Sequence, residues 1–348
     1  MRLPERIRVW KRLARTTPQA ERLTATTRDG QRLALFRVKP AGRSRGAVLL
    51  LHGLGANRFA FHWPGRSLAE FLAAQGFDAY VAELRGAGES VPLLRSWNFH
   101  DYLEQDVPAL LSRMREVSGE ARVHFVGHSM GGILAMCEAM VSGGEGLRSA
   151  AALGSALDYG LGESGFGPIT RLRPLLARLT SVPWGRAMSA LAPALARLPD
   201  PLAGFNFHPG NAEGPLVRAV YANVFGPIPT ALLQSLATGL EPGGLKSRAG
   251  EPYQALAPTL RTPLLMIAAS DDRQCPLPAF EATAAATKAN ALRFGRRYGH
   301  AAEYGHFDLL LGRTAPDEVW PALASWLESV LSPRLCSAPC RTRSNRRC

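Results

Sequence analysis

A chain of 348 residues with 46% hydrophobic content can bury a large core, as one elaborated domain or as two. The formal charge of +13 raises a nucleic-acid reading. Most of it is terminal: Arg2, Arg6, Arg8, Lys11, Arg12 and Arg15 face only Glu5, and Arg334, Arg341, Arg343, Arg346 and Arg347 face no acid. The nearly neutral body between them needs no polyanion partner, so no nucleic acid is expected. Five cysteines, three of them Cys336, Cys340 and Cys348, do not make a disulfide framework and fit a reducing, cytoplasmic setting.

The first 20 residues form a basic segment without the unbroken apolar stretch of a secretory signal. Leu3, Ile7, Trp10 and Ala14 recur there at helical spacing among the basic residues. That pattern suits an interfacial helix on anionic lipid, a peripheral membrane contact through residues 1 to 15. A leading helix docked on the body is the preferred alternative. No run of some 18 apolar residues suggests a membrane span.

Residues 22 to 27 and 32 to 38 read as two strands around the turn Arg28-Asp29-Gly30-Gln31, a hairpin. Ala47 to Leu51 is a short, wholly apolar strand, followed by the glycine turn His52-Gly53-Leu54-Gly55. A helix from about Ser67 to Gln75 stops at Gly76, and Asp78 to Ala82 is the next strand. After the loop from Glu83 to Ser90 comes a helix from about Asp101 to Val117. The strand Val123 to Val126 then runs into Gly127-His128-Ser129-Met130-Gly131 and a helix-like stretch from Gly132 to Met140. This alternation predicts a mostly parallel α/β sheet flanked by helices.

From about Asp158 to Leu260 the rhythm stops, and helical pieces such as Ile169 to Leu179 and Met188 to Leu198 take over, with no obvious strand. Strands resume at Pro263 to Ala269 and, weakly, at Ala291 to Phe294, and a helix near Pro316 to Leu331 closes the fold. The expected organisation is a core of residues 21 to 157 and 261 to 331, with a helical cap or lid inserted at 158 to 260. Residues 332 to 348 form a basic tail expected to be disordered.

Gly-x-Ser-x-Gly alone carries little, since a chain with 34 glycines meets it readily by chance. Its setting between a strand and a helix is what a nucleophile elbow requires, with Ser129 as the nucleophile. A serine hydroxyl also needs a base and an acid to orient that base. Asp272, just past the strand ending at Ala269, and His306, in Gly305-His306-Phe307-Asp308, follow Ser129 in the chain order Ser, Asp, His. Backbone N–H groups of Met130, after the nucleophile, and Leu54, in the turn after the third strand, supply an oxyanion hole.

These segments, together with Glu83-Leu84-Arg85-Gly86-Ala87-Gly88-Glu89-Ser90, resemble the α/β-hydrolase superfamily over roughly residues 22 to 330. The chain is similar to lipase-like and esterase-like members with an inserted helical lid. The resemblance implies an acyl-enzyme mechanism on carboxylic esters with no metal or organic cofactor, and it favours Asp272 over Asp271. Glu83 and Cys275 stand where relatives usually have Asp and Val. A large Leu-rich lid suggests a hydrophobic acyl or alcohol group. Acyl transfer on the same fold, or a catalytically silent ligand-binding homologue, are the alternatives.

His300 is the rival of His306, and Asp158 the reserve for Asp272. His52 reads as a packed turn residue with no chemical role. His124 and His128 lack the pattern of a zinc site. A dinucleotide reading of Gly53 and Gly55 fails at Arg58, where the third glycine should stand.

Overall fold

The computed structural model describes residues 20–92, 96–167, 179–183, 185, 187 and 203–331. The basic segment, the tail, and most of the two helical pieces expected at 169 to 179 and 188 to 198 lie outside the described residues.

Eight strands form one sheet: β1 Glu21–Thr26, β2 Arg32–Val38, β3 Ala47–Leu51, β4 Asp78–Ala82, β5 Val123–His128, β6 Leu147–Leu153, β7 Leu264–Ala269 and β8 Asn290–Phe294. Their spatial order is β1-β2-β4-β3-β5-β6-β7-β8. β1 and β2 are the expected hairpin, antiparallel in the register Thr26↔Arg32, with Gly30 at φ 82° in the turn. β2 also pairs antiparallel with β4, and every later pairing is parallel.

Parallel strands bury both faces, so they read as continuous apolar runs whose alternate residues serve two cores. In β3, Ala47, Leu49 and Leu51 join one cluster and Val48 and Leu50 the other. The first face is covered by α2 Val107–Ser118, α3 Met130–Val141 and α6 Leu277–Thr287; the second by α1 Leu68–Ala74 and α7 Val319–Leu331. Ser67 caps α1 by accepting from the Glu70 N–H, and Gly76 at φ 91° follows its end, as expected from the sequence. α4 Gly214–Asn223 and α5 Thr230–Ala237 lie in the stretch between β6 and β7.

The sequence pattern does not delimit β6, which pairs with both β5 and β7 inside the sheet. Its run Leu147-Arg148-Ser149-Ala150-Ala151-Ala152-Leu153 is rich in alanine, a residue with no β preference, although every position except Arg148 is buried. Between β6 and β7 the described residues add no strand to the large sheet; Ser181–Val182 and Ile228–Pro229 pair only with each other. Among the described residues no helix is long and apolar enough to cross a membrane.

Candidate active site

The loops after β3, β5, β7 and β8 converge on one edge of the sheet, the crevice beyond the carboxyl ends of parallel strands. β5 delivers Ser129, which sits at φ 56°, ψ −123° before the first residue of α3. A non-glycine residue in this region costs about 1–3 kcal/mol and persists only where its surroundings impose it. Here they do. The Ser129 N–H donates to the Leu153 carbonyl over 2.8 Å, and the Ser155 hydroxyl reaches the Ser129 carbonyl at 2.8 Å. The flanking glycines let three chain segments touch: a Cβ on Gly127 would strike the Gly131 carbonyl, and one on Gly131 would strike the Leu51 carbonyl. A Cβ on Gly53 would lie 2.8 Å from that of Ser129.

His306 and Asp272 meet in the interior, with Nδ1 2.7 Å from Oδ2 and both side chains 1% exposed. The other carboxylate oxygen of Asp272 accepts the backbone N–H groups of Gln274 at 2.8 Å and Cys275 at 2.9 Å. The acid is therefore aimed by its own loop, and its remaining oxygen dictates which histidine nitrogen carries the proton. The Nε2 of His306 is buried without a hydrogen-bond partner among the described residues and, like Ser129, belongs to the lining of one cavity.

The rivals lie elsewhere. Asp271 is partly exposed and 4.0 Å from His208. The Asp158 carboxylate accepts from the Gly160 N–H. His300 stacks on Phe294 with ring centroids 4.4 Å apart and bonds to Gly295.

His52 has more structure than a packed turn residue needs. It is fully buried, and burial holds its pKa down to about 4, so the ring is neutral. Nε2 accepts the Leu84 N–H at 3.2 Å, which leaves the proton on Nδ1 to be donated to the Gly53 carbonyl at 2.9 Å. That carbonyl shares its peptide plane with the Leu54 N–H, so fixing one fixes the direction of the other. Met130 opens α3, where the first-turn N–H groups have no intrahelical acceptor.

His128 is neutral as well, its pKa driven down by burial and by the neighbouring His306. Its Nε2 donates to the backbone carbonyl of His306 at 3.0 Å, and the two rings lie 4.5 Å apart. Its neighbour along the strand, His124, instead bonds the Ser149 hydroxyl at 2.7 Å, within the sheet.

The cavity measures about 200 Å³. Phe166, Val182, Phe205, Phe225, Ile228 and Leu233 wall it, with Asn206 and Gln274 as polar neighbours. No motif marks either of those two, or a positional role for His128. Their side-chain partners come from distant parts of the chain, which no local pattern shows.

A family model described as alpha/beta hydrolase fold matches residues 46–312. The chain is similar to Lipase member K of Homo sapiens, 31% identical over 133 residues, 33% of each chain. It is also similar to gastric triacylglycerol lipase of Rattus norvegicus, 30% identical over 124 residues, 30% of this chain and 31% of that one. The matched region spans about a third of these relatives' length. Among solved structures, a bacterial membrane phospholipase A superposes with a TM-score of 0.62 at 18% identity, over 95% of this chain and 92% of that one. A thermostable carboxyl esterase from Bacillus coagulans gives 0.64 at 16% identity, over 91% and 100%. At these identities the structural likeness concerns the fold.

Proposed function

The chain belongs to the α/β-hydrolase fold family, and from that membership we propose that it is a serine hydrolase cleaving carboxylic esters. The observation that carries this reading is the conjunction on one cavity of the strained Ser129 and of His306, which is paired behind it to the buried Asp272.

The Nε2 of His306 takes the proton of Ser129 as its Oγ forms a bond to the ester carbonyl carbon. The N–H groups of Leu54 and Met130 hold the oxyanion. Collapse breaks the ester C–O bond, His306 returns the proton to the departing alcohol, and the acyl group stays on Ser129. Water, deprotonated by the same nitrogen, then releases the acid. Asp272 keeps the imidazole in the required tautomer and stabilises its cation.

Residues 158 to 260 act as a cap over this site, a reading supported by the six apolar cavity residues that they supply. Those walls favour a hydrophobic acyl or alcohol group, in keeping with relatives named as lipases. Hydrolysis of a p-nitrophenyl ester series by the protein and by Ser129→Ala tests the proposal. Turnover that rises with acyl length and vanishes in the variant supports it; a preference for acetate argues against the apolar substrate.

A further inference from the structure

Ser129, His306 and Asp272 are carried by three loops, and the fold must hold them in register to a fraction of an ångström. One peptide does much of this. The carbonyl of the His306–Phe307 peptide accepts from His128, the residue before Ser129, at 3.0 Å. The N–H of that same peptide donates to the backbone carbonyl of Asn206 at 2.7 Å. Asn206 lies between β6 and β7, outside the large sheet. Its side-chain oxygen accepts from the Gln274 amide at 2.9 Å, and its own amide donates to the Tyr221 hydroxyl at 3.0 Å. Gln274 also donates to the Phe205 carbonyl, and its backbone N–H holds the outer oxygen of Asp272. Two residues later in the same segment, the His208 N–H donates at 2.6 Å to Asp308, whose carboxylate also takes the Gly305 N–H.

We propose that Asn206 is a positioning residue. Through its backbone it sets the height of His306, through its side chain it sets the loop of Asp272, and so it makes triad alignment depend on the inserted segment. The hydrogen bonds close a ring from His306 through Asn206 and Gln274 to Asp272 and back to His306, with His128, the neighbour of Ser129, joined to it at the His306 carbonyl. Asn206 is 4% exposed, so its side-chain bonds are not traded for water. This inference rests on the serine-hydrolase reading for its effect on turnover, but not for its effect on the histidine itself.

Two variants and two readouts decide it. Asn206→Ala removes the Gln274 and Tyr221 bonds, while Asn206→Asp keeps acceptors for Gln274 and for the Tyr221 hydroxyl and adds a negative charge near His306. In Asn206→Ala kcat should fall on the order of a hundred-fold with KM little changed, the size of loss a small misplacement causes. In Asn206→Asp kcat should return toward the parent value, with the acid limb of the pH profile moved to higher pH. Independently of any substrate, the low-field proton NMR signal of the His306 Nδ1 proton facing Asp272 should broaden or move upfield in Asn206→Ala and persist in Asn206→Asp. An unchanged signal and unchanged kcat in Asn206→Ala overturn the proposal, and so does a loss confined to KM. A parent protein that shows the signal but cleaves no ester sinks the hydrolase reading alone, and the alanine variant's spectrum still decides the role of Asn206.

Discussion

The ring of His306 lies against the bare backbone of Gly154, where a Cβ would fall 3.1 Å from both Cε1 and Nδ1 and 3.3 Å from Asp272 Oδ2. Gly154 is also at φ 59°, a conformation costly to any side chain. Gly154→Ala should therefore act twice, adding about 1 kcal/mol of backbone strain and pushing the imidazole off its acid. The expected outcome is a lowered melting temperature and a loss of turnover on the order of ten-fold or more. A variant with full activity would mean that the ring tolerates the displacement.

Asp272→Asn tests the tautomer argument. An amide in this position must offer its oxygen to the Gln274 and Cys275 N–H groups, which turns its NH₂ toward His306. The imidazole then keeps its proton on the nitrogen that should act as base. Turnover should fall by about 10⁴-fold with the fold intact, the magnitude known for such a substitution in the serine protease triad. A loss of less than ten-fold, measured on folded variant, would contradict the assignment of Asp272.

His52→Ala removes the donor that fixes the Gly53 carbonyl and the acceptor for Leu84 N–H. The Leu54 N–H then loses its fixed direction, and kcat should drop by about ten- to a hundred-fold, short of the loss of a donor outright. Activity that is unchanged, with stability lowered, would return His52 to a purely structural role.

Glu83 tests the electrostatics of the core. Burial raises its pKa from 4.5 to about 7, against the partial relief of Arg58 and the Glu89 N–H. A folded value above the unfolded one means that the native state holds a proton that the unfolded chain releases between those limits. Its contribution to stability is complete below pH 4.5 and is lost as pH rises through 7, by up to about 3 kcal/mol. Buried His52, with its value lowered to about 4, works in the opposite sense, so the whole-protein profile mixes the two. The difference between Glu83→Gln and the parent isolates the glutamate: chemical denaturation should show the variant gaining relative stability from pH 4.5 to 7.5. A difference that does not vary with pH would contradict the raised value.

Much of this was legible in the residues, and the exceptions have physical causes. β3 and β4 appear with their expected limits, because an apolar run buried on both faces and closed by glycine or an acidic loop has one natural reading. β5 runs two residues further than its apolar part, to His128, since the ladder continues into the polar site. β6 has no clear limits in the sequence, because burial rather than β propensity makes alanine a strand residue there. Ser129, Asp272 and His306 announce themselves through local motifs and chain order. Asn206 does not: its partners are Gln274, Phe307 and Tyr221, and only the folded chain brings them to it.

Labelling with a fluorophosphonate probe tests the central claim most directly, because the reagent requires an activated serine and needs no guess at the substrate. One covalent adduct is expected, mapped by peptide mass spectrometry to Ser129, absent in Ser129→Ala and strongly reduced in His306→Ala. A folded protein that takes up no label, or carries it on another residue, would contradict it.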